Sequence, residues 1–556
     1  MRCISLVMFY VFSCIVLQGK DYYIHPLVGK DSNMGTSKTN AIQTLGKLNE
    51  LVLEAGDKVI LAAGQVFKGT LPIINLKGTL NKPIIFTSEN WEEDTAKKKA
   101  IIDANGNLYG ILIQNSMHIH VNNIEITANG PNEVPINGDM RVGCLIFNEI
   151  NEKTKYITIE DLYIHDVYYE KEGTVRGKDE IKTANGTQKY GWGLRLISAA
   201  DNSAIENVKI TNCKIENVSH TGIKLTGKNK NIINIEINEN EVFKTGGPGI
   251  QMSDVKYVHV FNNKVNYSGS NDDSRKWGRG SGLWTWSASH VLIEKNHFLN
   301  ANGPGDSAGA HIDYNCDNIV LQHNFSANNA GGFCEILGNN YNCAYRFNIS
   351  VNDGHRVKGE NGAFQEGKIF WLSGYQGDKK PKKGPINSYF YNNTIFTKNT
   401  LVAKVAIEQS SKGVLIMNNI FHIENQAMMV VGDQMKNENN GVGIIQHVNF
   451  KNNIFLNKSS WPQDCSIQDQ SPIYGNVGFS NGGGLKPEDY IPSNEEIIYL
   501  GKVVPKIHSD AFGLIDGMKC YVDYLGNDIS DQSIIGAIAP KSSHAEDAKL
   551  KNKNID

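Results

Sequence analysis

Residues 282–335 read GLWTWSASHVLIEKNHFLNANGPGDSAGAHIDYNCDNIVLQHNFSANNAGGFCE. Three short segments of one shape sit in this stretch: GLWTW from Gly282, GAHID from Gly309, and FCE after the pair Gly331 and Gly332. Each alternates side chains with period 2, so residues two and four places after the leading glycine leave the same face of a strand. Counted from Gly282, Gly309 and Gly331, that face carries Trp284 and Trp286, then His311 and Asp313, then Phe333 and Glu335. Leu283, Thr285, Ala310, Ile312 and Cys334 lie between them and suit a narrow interior. Stacked in parallel at about 4.8 Å, the segments would make Asp313 and Glu335 neighbours on an outer wall beside two tryptophans.

The same grammar extends outward in both directions. From about Ile101 an apolar residue, polar residues including Asn, and a β-former recur, marked by Asn212, Asn240, Asn263, Asn296, Asn324, Asn348, Asn393, Asn419 and Asn453. The copies lie roughly 23 to 45 residues apart, a range that signals a solenoid. Irregular spacing favours coils with loops of different length at one corner over propeller blades. Asn at a fixed turn tolerates left-handed backbone and can bond its copy in the next coil. The expected class is all-β, a right-handed parallel β-helix solenoid closed by an N-terminal capping helix. That helix is read from the stripe Ile42, Leu45, Leu48 and Val52, with Gly56 where it would end. The expected organisation is a signal peptide over residues 1–19, a cap with the first coils over 20–100, the β-helix with its groove over 101–540, and a disordered charged tail over 541–556. Pro487 and Pro492 interrupt strand pairing near the far end.

Composition narrows function. The 556 residues carry 55 Lys+Arg against 58 Asp+Glu, which gives no global field for nucleic acid or anionic membranes. The apolar N-terminal run is too short for a comfortable span and reads as a secretory leader, so the expected location is secreted or periplasmic, with no membrane span once it is removed. Cys144, Cys213, Cys316, Cys334, Cys343, Cys465 and Cys520 are scattered and odd in number, which favours buried free thiols over disulfides or a zinc site.

The opening YYIHPLVGKDSNMGTS with its DKVILAAGQVF, the Asn-marked coils and the closing YVDYLGNDISDQSIIGAIA resemble the pectate-lyase-like superfamily of right-handed parallel β-helix proteins, particularly secreted bacterial polysaccharide-degrading enzymes. The resemblance implies a polysaccharide or oligosaccharide substrate and a groove on one sheet. The paired-aspartate and GHG signatures of polygalacturonases are absent, as are the obvious lysine and arginine motifs of alginate or chondroitin lyases. Some β-xylosidases of this fold are similar in using an Asp and a Glu one coil apart.

Stacking by glycines gives one outward column of Lys224, Gln251, Trp284, His311 and Phe333 above Arg195, and a second of Thr226, Ser253, Trp286, Asp313 and Glu335, continued by Glu366. Carboxylates on adjacent coils would stand about 5 Å apart, the separation of a retaining glycosidase. Asp313 is then the nucleophile and Glu335 the acid/base, with Asp306 in GPGDSAG as the rival carboxylate. His311 and His220 are binding candidates, and Trp284 and Trp286 offer faces for sugar stacking. The insertion NDDSRKWGRG brings Trp277 and Arg279 toward the groove, where cations with Arg195 and Lys224 would suit an acidic or sulfated glycan. No cofactor is required by this reading; calcium is a candidate at Asp272 and Asp273. The leading expectation is a glycoside hydrolase. A lyase using Lys224 or His311 as base, or a non-catalytic glycan-binding solenoid, are the alternatives.

Overall fold

The structure is a computed structural model and describes residues 19–91, 98–104, 106–130, 140–183, 186–360, 363–377, 379–430 and 447–541. The leader reading, except Gly19, and the tail after Lys541 lie outside these residues. Three parallel sheets of 14, 12 and 14 strands wind about a common axis, each coil giving one short strand to each sheet in turn. The result is a parallel β-helix. Its interior is one continuous cluster of Ile, Val and Leu running from Tyr22 to Ile467. Alternation along strands such as Ile124–Ala128, buried at every second residue, produces this one-sided burial.

Two columns of identical residues fix the rung register. At one corner Asn240, Asn263, Asn296, Asn324, Asn348, Asn393, Asn419 and Asn453 are buried, and each side-chain amide donates to its copy one coil on at 2.9–3.0 Å, until Asn453 meets Asp469. The left-handed residue is the one before: Glu239, Asn262, Lys295, His323, Phe347, Asn392, Asn418 and Asn452 all have φ between 53° and 59°. Asn212 holds this left-handed place itself, and Cys213 occupies the ladder place. Conformation and hydrogen bonding, expected of one Asn, are therefore divided between neighbours.

The second column explains the glycine period. A Cβ on Gly110, Gly143, Gly193, Gly222, Gly249 or Gly282 would stand 2.3–2.8 Å from the carbonyl oxygen of the next glycine in the series. Only glycine permits that approach. The series ends at Gly309. The bridges Ala308 to Gly332 and Ile312 to Ile336 set Phe333 in the glycine place of the following coil, buried in the interior.

The ends differ from expectation. Instead of a capping α-helix, residues Leu45–Glu50 form a 3-10 turn containing Gly46, Val52 is 81% exposed, and Leu51 and Leu53 pack on the core in extended alternation. A glycine inside a six-residue segment and apolar residues at i and i+2 favour this over a helix. The last coil closes at Ile473–Tyr474. Residues 475–541 then run along the outside, tied by Tyr389 to Asp510, Arg346 to the Gly517 carbonyl and Asn392 to the Ile534 carbonyl. The coils thus end well before residue 540. Cys144, Cys213, Cys316, Cys334, Cys343 and Cys465 are buried free thiols, and Cys520 is half-buried. No helix among the described residues is long and apolar enough to cross a membrane.

Candidate active site

The 12-stranded sheet carries the site. Its register pairs Arg195 with Lys224, Lys224 with Gln251, Gln251 with Trp284 and Trp284 with His311, as the glycine count predicts. One coil later the count slips by two. With Ile312 opposite Ile336, the residue beside His311 is Glu335, and Trp371 follows Glu335. Glu335 is therefore not directly beside Asp313, whose place in the second column passes to Leu337. Phe333 faces inward and Glu366 lies in the loop before Lys368–Leu372, so neither extends a column. Inside the coil, the Tyr345 hydroxyl donates to the carbonyls of Ala310 and Glu335 at 3.1 and 3.0 Å, clamping these two rungs together.

A cavity of about 360 Å³ opens over this part of the sheet. It brings together Asp306, Asp313, Glu335, His311, Trp284, Trp286, Arg279 and Glu366, all singled out in the sequence. Its remaining walls include Arg356, Gln365 and Trp371, together with Tyr314, Tyr375 and Lys380. Lys224, Gln251, Arg195, His220 and Trp277 do not line it. His220 is 1% exposed, sandwiched between Trp192 at 3.8 Å and Trp277 at 4.5 Å, so it is buried beneath the insertion and is not a surface sugar contact. Trp277 is equally buried and donates to the Glu180 carbonyl at 3.2 Å. The insertion folds down onto the sheet because its aromatic and cationic groups find partners there. Arg275 pairs with Asp273 at 2.7 Å and Lys244 with Asp272 at 2.6 Å. Those two carboxylates are thus taken up by cations, and no cluster of three or more metal-ligating side chains occurs among the described residues. Arg195 and Lys224 lie over the Trp192 ring at 4.2 and 4.9 Å, where burial and the neighbouring guanidinium push Lys224 down to about 7.

Within the cavity three carboxylates surround one imidazole. Asp306 is clamped by Arg279 through Nε at 2.6 Å and Nη2 at 3.1 Å, and its backbone N–H donates to the Gln365 side chain at 2.6 Å. Arg356 braces the same loop, donating to the carbonyls of Gln365, Gly303 and Asp306 at 2.7, 2.6 and 3.0 Å. Burial works against the Asp306 charge, but the Arg279 guanidinium outweighs it and holds this carboxyl below its ordinary range. Asp313 goes the other way. Burial, with repulsion from Asp306, pushes it up to about 6 despite His311 and a 2.6 Å hydrogen bond from Trp284 Nε1. His311 Nδ1 lies 3.3 Å from Glu335. Burial opposes its charge, yet Glu335, Asp313 and Asp306 together raise its pKa above the ordinary value.

The tryptophans divide their tasks. Trp286 is 39% exposed and tilts against Tyr314 at 5.0 Å, leaving a face for a sugar ring. Trp284 is 5% exposed and packs with Tyr190, Trp192 and Trp277, so its contribution is the N–H given to Asp313. Trp371 is legible in KIFWL once Lys368 is set beside Gly332. Gln365 and Arg356, on an irregular loop, leave no periodic signal.

A family model for the right-handed β-helix region matches residues 195–362. A curated lacto-N-biosidase of Bifidobacterium longum subsp. longum is 22% identical over 94% of this chain, and the chain spans 36% of that protein's length. Among solved structures, the GH136 lacto-N-biosidase of Eubacterium ramulus superposes with TM-score 0.53 at 19% identity, covering 74% of this chain and 68% of the other. A PL6 family alginate lyase superposes with TM-score 0.52 at 13% identity, covering 86% and 59%. The fold is the right-handed parallel β-helix shared by these enzymes of polysaccharide and oligosaccharide breakdown.

Proposed function

We propose that the chain is a glycoside hydrolase cleaving a neutral oligosaccharide by a retaining mechanism, with Asp313 as acid/base and Asp306 as nucleophile. One observation carries the reading: a single tryptophan-lined cavity holds two carboxylates whose surroundings shift their acidities in opposite directions, Arg279 holding Asp306 down and burial raising Asp313, the arrangement that separates proton donor from charged partner. This reverses the part assigned to Asp313 from the sequence and replaces Glu335 with Asp306 as its partner. Glu335 instead orients His311.

In the first half-reaction Asp313 gives its proton to the glycosidic oxygen as that bond breaks, and Asp306 forms a bond to the anomeric carbon. In the second, Asp313 takes a proton from water while the water oxygen displaces Asp306, returning both groups to their starting states. A neutral glycan is favoured over an acidic or sulfated one because the cavity's cations are engaged. Arg279 serves Asp306, Arg356 serves backbone carbonyls, and Lys380 donates to the Tyr314 hydroxyl at 3.0 Å. The name of the curated relative makes lacto-N-biosides the first compounds to try. A cavity walled by loops on one part of the sheet suits attack near a chain end. The lyase alternative would use Lys224 or His311 as base: Lys224 has a depressed pKa but stands outside the cavity, and His311 lines the cavity but is turned to Glu335 with its pKa raised, which suits a cation better than a base. The leader-like N-terminus adds export to the proposal, checked by fractionating expressing cells.

The test is a panel of 4-nitrophenyl glycosides, lacto-N-biosides first, and neutral and acidic polysaccharides, with products read by chromatography and ultraviolet absorbance. Saturated reducing sugars are expected. Unsaturated products would mark a lyase, and binding without turnover on the whole panel would mark a glycan-binding protein.

A further inference from the structure

Two buried polar groups on the cavity floor lack a partner. His311 is 4% exposed and Trp371 7% exposed, both line the cavity, and neither His311 Nε2 nor Trp371 Nε1 meets a hydrogen-bond partner among the described residues. Buried N–H groups are almost always paired, because an unpaired one forfeits about tenfold or more in equilibrium. The other two members of their column that line the cavity have partners: Trp284 Nε1 donates to Asp313, and Glu335 contacts His311. Column order also sets their spacing. His311 and Trp371 stand two rungs apart, about 10 Å, a distance on the scale of two linked sugar rings.

We propose that His311 Nε2 and Trp371 Nε1 are the two recognition points for successive sugar units of a neutral oligosaccharide, each donating to a substituent oxygen on its own ring. The identity of the ligand rests on the glycosidase reading; the two orphaned groups do not. An indole N–H can only donate. The carboxylates around His311 favour its cationic ring, which donates at both nitrogens: Nδ1 is directed at Glu335, and Nε2 is left facing the cavity without an acceptor among the described residues. A wall that presents donors with no protein acceptor discriminates against any sugar lacking the matching oxygen, because the donor is then left buried and unpaired.

The experiment uses Asp313→Asn, which removes the proton donor and lets binding be titrated by calorimetry without turnover. Lacto-N-biose, lactose, cellobiose and xylobiose are the probes, followed by the monodeoxy analogues of the tightest binder. Trp371→Phe added to Asp313→Asn keeps the ring and loses only the N–H; His311→Leu is added in parallel, with thermal midpoints confirming folding. We expect each added change to weaken binding about tenfold. We also expect each to abolish the penalty for one deoxy analogue, at a different sugar for each residue. Unchanged discrimination in both double variants, or no binding of any probe to Asp313→Asn, overturns the proposal. Wild-type protein that binds in this pattern but cleaves nothing would instead sink the hydrolase reading and leave the two recognition points standing.

Discussion

Replacing Asp313 by Asn should abolish activity and, at neutral pH, stabilise the protein. In the fold Asp313 titrates at about 6 against an ordinary 3.8, so its charged form is disfavoured on folding. A group whose pKa is raised by folding contributes fully below its unfolded value and loses that contribution as pH rises through the folded one. The gap corresponds to about 3 kcal/mol above pH 6, an upper figure because Asp313 keeps some solvent contact. Asn keeps an oxygen to accept the Trp284 N–H and carries no charge, so the variant escapes this cost. The assay is the thermal midpoint of wild type and Asp313→Asn from pH 3.5 to 8, read as a difference because long repeat arrays need not unfold in one step. The variant should gain several degrees at pH 7 to 8 and nothing near pH 3.5. A pH-independent difference, or one largest in acid, would refute the reasoning that burial in the fold disfavours the Asp313 charge.

Other outcomes follow from the same contacts. The kcat/KM profile should fall on the alkaline side near pH 6 as Asp313 ionises, and on the acid side, below the ordinary aspartate range, as Asp306 gains a proton. Trp284→Phe removes a donor to the Asp313 carboxylate and should move the alkaline limb upward, checked by the same profile. Arg279→Met leaves the Asp306 charge, about 10% exposed, without its partner; it should cost about 3–5 kcal/mol in chemical denaturation and move the acid limb to higher pH. Asn296→Ala cuts the ladder between Asn263 and Asn324 and strands the buried Asn263 backbone N–H, which donates to the Asn296 side chain at 3.0 Å. It should lower stability by about 3 kcal/mol, measured by denaturant titration.

The coil architecture was legible because its rules are local. Glycines recur where a Cβ would strike the next rung, and Asn recurs where a buried amide must meet its copy. Asp306, Asp313, Glu335 and His311 were recognisable as members of one site because chemistry-bearing side chains stood out against a polar background. Their mutual arrangement was not legible. The glycine column stops at Gly309, Phe333 replaces the next glycine, and Gly331 was the wrong anchor by two residues, enough to exchange the neighbours of Asp313 and His311. Facing outward also proved different from being exposed: Trp284, His220 and Lys224 leave the coil yet are buried, the first two with Trp277 of the insertion and Lys224 against Trp192 and Arg195 of the adjacent rung. Arg356 and Gln365 come from a loop whose path only tertiary contacts determine.

The division of labour between Asp306 and Asp313 is tested most directly by trapping. The protein is incubated with a 5-fluoro glycosyl fluoride of the sugar it cleaves, digested, and mapped by mass spectrometry for the modified carboxylate. With Asp306 as nucleophile, a glycosyl ester is expected on Asp306, formed in wild type and absent in Asp306→Asn. An ester on Glu335 or Asp313, or inverted product with no adduct, would contradict it.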